Sequence, residues 1–515
     1  INLFLSPSKP NEQSLFFSKK QEFNTATKLH EILNFIENTY VDSIDKKELT
    51  EETINTMLTT LDPHSYYIPA QDFDAINAPL EGAFEGVGIE FRIKDDTLLI
   101  VAAIPNGPSD KAGLKAGDRI VKVDTSEIAN KGLSNARVVR LLKGPRGTKV
   151  KLEIVRPGIK KRKIVTIIRD KIPLFSVEAP YMMSEDIGYL KITHFSKTTY
   201  LEFVEATQRL KEEGMKKLII DLRNNGGGVL QAAIKIADEI LIENKRIVYT
   251  NGRTRKRADY FSTNQGTLES TDVVIIINEN SASASEILAG AIQDNDRGVV
   301  LGRRSFGKGL VQEQVQWPDG SALRLTVARY YTPTGRCIQK EYGATQEAYN
   351  EESYNRYENG ELLSVDSIPF SDSLKFYTPK GKVVYGGGGI VPDVFVPIDT
   401  VDGTSYLYEL RYKGIIQTFA LKYVDKKRAS LNKTYENATT FKHNFSITTS
   451  LFDSLIAYAD EQEVEQKTNE IKTSRTRINR DLKAAISQNL YNDLGYYMVV
   501  NEHDNTVQAA INALK

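Results

Sequence analysis

The spacing of apolar and polar positions changes several times along the chain, and each change marks a new element. Residues 1–24, INLFLSPSKPNEQSLFFSKKQEFN, keep no clear period and read as an arm or frayed terminus. From Lys28 the spacing is helical, with Leu29, Ile32, Leu33, Ile36 and Tyr40 on one face, and KELTEETINTMLTTL continues as a second helix. LDPHSYYIP, with Pro63 and Pro69, stops it. Between about 83 and 170 the texture turns to short alternating runs: EGVGIEFRIKDDTLLIVAAI, GDRIVKVDTSEI, KVKLEIVRP and KIVTIIRD. They enclose the short helical stretches SDKAGL and LSNARVVRLLK, a layout that predicts a small, partly open β-barrel.

Beyond it, strands and helices alternate. DIGYLKITHF precedes a helix from Thr199 to Glu213; KKLIIDLR and a glycine turn precede a helix from Leu230 to Leu241. VVIIIN precedes a helix from Ser285 to Gln293, and GVVLG and ALRLTVARYYTP follow as strands. Such alternation predicts an α/β core whose strand ends carry the chemistry. Residues 341–375 are polar and tyrosine-rich and read as an inserted loop, whereas Tyr406 to Lys515 is mainly helical. The glycine run 386–389 reads as a flexible approach to a strand, because no Lys-Ser or Lys-Thr follows to make it a phosphate cradle. RTRKR, 253–257, reads as a solvated loop. The expected fold class is therefore α/β multidomain: N-terminal helices to 82, the β-barrel at 83–170, the α/β core at 171–400 with its insert, and a mainly helical region from 401 to 515.

Charge and composition narrow the function. Lysine plus arginine equals aspartate plus glutamate, 67 against 67, so no global field draws nucleic acid or an anionic surface. Cys337 is the only cysteine, which excludes internal disulfides and thiolate metal clusters and fits a small buried hydrophobe. No run of 18 apolar residues occurs, and the chain begins at Ile1, so an export signal or anchor that preceded it is an expectation this sequence does not display.

GxSxG and HExxH are absent, and of the five histidines only His64 and His194 fall in structured turns, where packing accounts for them. The stretch NENSASASEILAGAIQD places three serines and small alanines where a buried strand meets the start of a helix. One serine suffices as a cap. The helix start also supplies unpaired N–H groups and partial positive charge for an oxyanion, and the alanines leave room for a substrate backbone. A serine nucleophile needs a base. Lys308, between two glycines in GRRSFGKGLVQ and near Phe306 and Leu310, fits an amine made partly neutral by desolvation. DLRNNGGG, after the buried strand KKLII, provides a sharp turn able to aim further N–H groups.

These motifs, with YVD, LDPHS, ALRLTVARYYTPTGR and GIVPDV in the same order, resemble the C-terminal processing peptidases, also called tail-specific proteases, from about Leu29 to Val396. The resemblance implies a serine endopeptidase with a Ser-Lys dyad and no metal or organic cofactor. It places the nucleophile at Ser283, the base at Lys308 and a lysine-orienting glutamine at Gln312, one helical turn on if that stretch coils. It places the oxyanion donors at the N–H of Ala284 and of Gly228 or Gly227, with Ser281 and Ser285 in supporting roles. The β-barrel resembles a PDZ domain, in which Gly86, Val87 and Gly88 offer N–H groups to a peptide C-terminus. A peptide strand would lie beside Ile89 to Phe91, with a side chain against Val138 and Leu142. The implied partners are proteins with accessible C-terminal tails, and the implied setting is the bacterial cell envelope or periplasm. Apolar positions in INRDLKAAISQNLYNDLGYYMVV and VQAAINAL fit either a homo-oligomer contact or packing on the chain's own core. Two rival readings stand beside this one: Ser305-Phe306-Gly307-Lys308 as the SxxK of an acyl transferase acting on cell-wall peptides, and a non-catalytic PDZ adaptor.

Overall fold

The unbroken apolar runs become the parallel strands of the molecule's central sheet. In a computed structural model that describes residues 25–515 apart from Pro105, Pro157, Lys160 and Ala344, Ile187–Ile192, Lys217–Asp221, Asp272–Ile277, Val299–Gly302 and Val394–Phe395 lie side by side in that order, all parallel. Val177–Met182 adds an antiparallel edge. The side chains of Ile187–Ile192 and of residues 218–221, 273–277 and 300–302 are buried on both faces, which is why those sequence runs are continuous rather than alternating. One face packs helices Thr199–Glu212, Leu230–Ile240 and Ala284–Asp294 into the largest core cluster, with Ile220, Ile275 and Val300. The other face, with Ile219, Ile276 and Leu301, receives Met498, Val507, Ala510 and Leu514 from the C-terminal end. Ile478, Leu482 and Ile486 are buried in a helical cluster of their own. Ile478, Leu482, Ile486, Met498, Val507, Ala510 and Leu514, among the apolar positions considered for contact between subunits, are thus buried within the chain.

The chain divides into two compact units, Ile1–Ala70 with Gln314–Leu325, and Gln71–Glu313 with Thr326–Lys515. The first holds helices Thr25–Thr39 and Lys46–Thr59 and the strand Tyr66–Ile68, which pairs with Ala322–Arg324. No residue of helix Thr25–Thr39 is fully buried: Leu29 and Ile32 of its apolar stripe, and Tyr40 just beyond it, are exposed, and Leu33 and Ile36 are half-buried. The arm expected at residues 1–24 lies outside the described residues.

Within the second unit, residues 89–168 form the β-module, an antiparallel sheet ordered Ile89–Lys94, Thr97–Ala103, Arg119–Val123, Lys149–Val155, Lys163–Ile168. Helix Asn135–Leu142 packs on its core, its N-cap Ser134 accepting the Arg137 N–H. Ile89–Lys94 is an edge strand. The segments that enter and leave the module, Ala83–Gly86 and Asp170–Pro173, pair antiparallel as a two-stranded stem.

The structure departs from expectation in three places. Residues 341–375 are not a loop: they contain helix Gln346–Glu358, on which Tyr349 and Arg356 are buried. FGKGLVQ does not coil; Leu310–Gln316 is a strand, because two glycines precede it and disfavour a helix start. The glycine run is not a loose approach either, since Gly387 and Gly389 donate to the carbonyls of Cys337 and Ile338, each at 2.8 Å. Cys337 is half-buried, and burial pushes its thiol upward. No helix among the described residues is long and apolar enough to cross a membrane.

Candidate active site

Parallel strands end on the same side, so the loops after Lys217–Asp221, Asp272–Ile277 and Val299–Gly302 meet there. The first, DLRNNGGG, is anchored by Asp221. This fully buried carboxylate accepts from the Tyr189 hydroxyl at 2.9 Å and from Arg223 at 2.6 Å, with Lys191 at 3.6 Å. Burial alone would raise its pKa, but Arg223 and Lys191 outweigh burial and hold it well below the usual carboxylate range. Asn225 then ties the loop to its neighbours. Its Nδ2 donates to the Ile192 carbonyl, and its own carbonyl accepts from the Ala282 N–H and the Ser285 hydroxyl, both at 2.9 Å.

The second loop carries the serines. Ser281 and Ser285 are buried and bonded: the Ser281 hydroxyl donates to the Leu222 carbonyl at 2.8 Å. Ser283 differs. It is the N-cap of helix Ala284–Asp294 with φ 54° and ψ −112°, a conformation that costs a non-glycine residue on the order of 1–3 kcal/mol and persists where its surroundings impose it. Gly227 explains the closeness of the two loops. At φ 97°, a Cβ there would sit 2.7 Å from the Ser283 Cβ and 2.9 Å from the Ala284 nitrogen, so any side chain would occupy the space beside the hydroxyl.

The third loop carries Lys308, half-buried, whose amine donates to Gln312 Oε1 at 3.1 Å. The strand brings these two together, where a helical turn had been expected. Sequence reasoning missed the group that joins the second and third loops, Glu286. Its Oε2 accepts from the N–H of Ser283 at 2.8 Å and of Lys308 at 2.9 Å; its Oε1 accepts from the Gly307 N–H at 2.7 Å and the Ser305 hydroxyl at 2.5 Å. Two amides on one oxygen atom lie within two hydrogen-bond lengths of each other. Burial pushes this carboxyl up to about 7, against its hydrogen bonds, because no counter-charge is among its partners. Its signal was in the sequence: glutamate three residues after an N-cap serine is a capping box. The buried Tyr330 hydroxyl adds a second bridge, 3.1 Å from the Ser283 carbonyl and 2.7 Å from that of Lys308.

Among the described residues, the N–H groups of Ala284 and Gly228 meet no acceptor, whereas that of Gly227 donates to Asn225 Oδ1 at 2.8 Å. Ser305 is fully buried; its hydroxyl is spent on Glu286 and accepts from the Ile390 N–H at 2.6 Å, so the SxxK reading has no available nucleophile. His194 has its Nδ1 3.1 Å from Thr193 Oγ1, and burial holds its pKa down.

The residues read as a peptide groove gather separately on the β-module. Gly86, Val87 and Gly88 precede the edge strand that holds Ile89 and Phe91, and the N–H groups of Val87 and Gly88 meet no acceptor among the described residues. Val138 and Leu142, 1% and 5% exposed, belong to the module's core together with Val87, and Ile89 and Phe91 pack on it.

A strained serine, a lysine whose backbone N–H shares a carboxylate oxygen with that of the serine, and open amide donors meet at the ends of the parallel strands, groups of the kind a serine hydrolase uses. Comparison with known proteins agrees. The profile of peptidase family S41 matches residues 186–348, a PDZ domain profile matches 99–156, and the activating protease CtpB N-terminal domain matches 6–72. A family of unknown function matches 406–492. The carboxy-terminal-processing protease of Bartonella bacilliformis is 36% identical over 333 residues, covering 64% of this chain and 76% of that one. Carboxy-terminal processing protease CtpB of Bacillus subtilis is 36% identical over 316 residues, covering 61% and 65%. Among solved structures, the photosystem II D1 C-terminal processing protease is 26% identical over 73% of this chain and 88% of that one, at a TM-score of 0.37. The chain belongs to peptidase family S41, the carboxy-terminal processing serine proteases, and carries a PDZ domain. The adaptor reading gives way to an enzyme.

Proposed function

We propose that Ser283 is the nucleophile and Lys308 the general base of a Ser-Lys dyad, with Gln312 holding the lysine amine. Neutral Lys308 takes the hydroxyl proton as Ser283 attacks a peptide carbonyl. The N–H groups of Ala284 and Gly228 receive the oxyanion; Gly228 is favoured over Gly227 because the latter's amide is already engaged. Protonated Lys308 then gives its proton to the leaving amine, and water releases the acyl-enzyme. The observation that carries this reading is the single Glu286 oxygen that accepts from both Ser283 and Lys308.

Substrates are proteins with accessible C-terminal tails. The carboxylate of such a tail meets the amides of Val87 and Gly88, and its chain adds as a strand beside Ile89–Phe91, over the floor made by Val138 and Leu142. Residues 83–170 act as the tail-binding domain and 171–400 as the protease, and the enzyme works in the bacterial cell envelope. An unfolded substrate with an apolar tail tests the assignment. Ser283→Ala and Lys308→Ala each lose at least about 10³-fold in kcat, as expected for members of one catalytic unit. Unchanged cleavage by either variant rejects that residue's role. Amidation or deletion of the tail raises KM, and no change in KM rejects the tail-binding assignment.

A further inference from the structure

The loop that carries Lys308 is gripped from outside the central sheet by the segment 341–375, to which the proposed reaction assigns no part. Arg356, 2% exposed, lies on helix Gln346–Glu358 and donates Nη1 to the Ser305 carbonyl at 2.8 Å and Nη2 to the Phe306 carbonyl at 3.1 Å. Tyr349 of the same helix meets the Phe306 ring edge-on, with centroids 6.1 Å apart. Lys340, just before the helix, donates its N–H to the Gly307 carbonyl at 2.9 Å and lays its amine 4.2 Å over both the Phe306 and Tyr349 rings. Arg304, at the start of the loop, pairs with Glu361 through two contacts of 2.6 Å. Glu352 sits at the centre, accepting from Arg356 Nε at 2.6 Å and from the Lys340 amine at 2.9 Å.

These contacts hold residues 304–307 and stop one residue short of Lys308. Gly307, at φ 90°, is the last residue of the grip: its carbonyl accepts from the Lys340 N–H and its own N–H donates to Glu286, so the peptide that leads into Lys308 is held at Gly307 as well as at Ser305 and Phe306. A planar guanidinium forked onto two successive carbonyls fixes the peptide planes that lead into it. The side of the loop that faces the core is held differently. Glu286 accepts from the Lys308 N–H, the Tyr330 hydroxyl donates to its carbonyl, and Gln312 Oε1 accepts from its amine.

We propose that Arg356 is a positioning residue for the reaction: through the carbonyls of Ser305 and Phe306, the helix of the inserted segment sets where the Lys308 amine points. The proposal rests on Lys308 being the base. It gives the insert a role as an external brace on the base loop, acting without contact to substrate.

The test uses the full chain and an unfolded, tailed substrate, with kcat and KM measured separately from about pH 6 to pH 10, a range that spans a desolvated lysine and a solvated one. Thermal unfolding of each variant is measured in parallel. Arg356→Gln is expected to lower kcat about 10²-fold with little change in KM, since a small misplacement of a reacting group has that effect. The limb on which activity rises with pH also moves upward, because an amine that turns toward water stays protonated to higher pH. Arg356→Lys, which keeps the charge and loses the fork, is expected to fall between. Glu352→Gln slackens Arg356 without emptying its site and is expected to move kcat and the limb in the same sense, which covers the case in which Arg356→Gln does not fold. Folded variants with wild-type kcat and an unmoved limb overturn the proposal, as does a loss that matches only the unfolded fraction. Lys308→Ala as active as wild type overturns the base assignment itself, whatever the Arg356 variants do.

Discussion

Two fully buried carboxylates hold the loops of this site, and they are held in opposite ways. Asp221, under the glycine loop, has Arg223 and Lys191 beside it and stays an anion far below the ordinary range. Glu286, under the serine and the lysine, has only amides and a hydroxyl, and burial lifts it to about 7. The burial is the same; the difference is counter-charge against neutral donors. Asp221 is thus a fixed anchor at the end of a strand. Glu286 is a joint between the serine loop and the lysine loop, held by neutral donors alone.

Replacing each carboxylate breaks the comparison most directly. Asp221→Asn leaves Arg223 and Lys191 without their buried anion and should cost about 3–5 kcal/mol in denaturant unfolding, the usual result of breaking a buried pair from one side. Glu286→Gln puts an NH₂ group against N–H donors and should cost less in stability, about 1–3 kcal/mol. It should nonetheless lower kcat on the order of 10²-fold, because Ser283 and Lys308 lose their common tether. A Glu286→Gln variant with full activity would mean that Tyr330 or the packing alone sets the dyad.

The pH dependence sharpens the same contrast. Asp221 has a depressed pKa, so its contribution to stability is present above the unfolded aspartate value of 3.8 and is lost as pH falls below it. Glu286 has a raised pKa, so its contribution is full below 4.5 and is lost as pH rises through about 7. Unfolding free energy measured between these limits should fall with rising pH on account of Glu286, and Glu286→Gln should remove that slope. The smallest effect is expected from Gln312→Ala: about a tenfold loss of kcat with stability unchanged, since the lysine keeps its other contacts. A loss as large as that of Lys308→Ala would make Gln312 more than an orienting group.

Much of the core was legible because burial there is written in apolar periodicity. The runs KKLII and VVIIIN are uninterrupted and became parallel strands buried on both faces. The serines, the lysine and the glycine turn were legible because each stands at the end of such a run. Helix Gln346–Glu358 was not, because it is held by charge: its buried contacts run through Arg356, Glu352 and Lys340, and its apolar positions carry almost no helical period. Glu286 and Asn225 were missed for a related reason. The capping-box spacing displays only the bond of Glu286 to Ser283; its bonds to the lysine loop, and those of Asn225 to the serine loop, run to residues distant in sequence, which no local spacing displays. The helix expected from Lys28 is present as Thr25–Thr39, yet Leu29, Ile32 and Tyr40 of the expected stripe are exposed, since periodicity reports a face and says nothing of what covers it.

The central claim, that Ser283 reacts because Lys308 activates it, is tested most directly by labelling with a fluorophosphonate and locating the adduct by peptide mass spectrometry. The account predicts an adduct on Ser283 in the wild-type enzyme and almost none in Lys308→Ala. An adduct on Ser305, or equal labelling of Ser283 without the lysine, would contradict it.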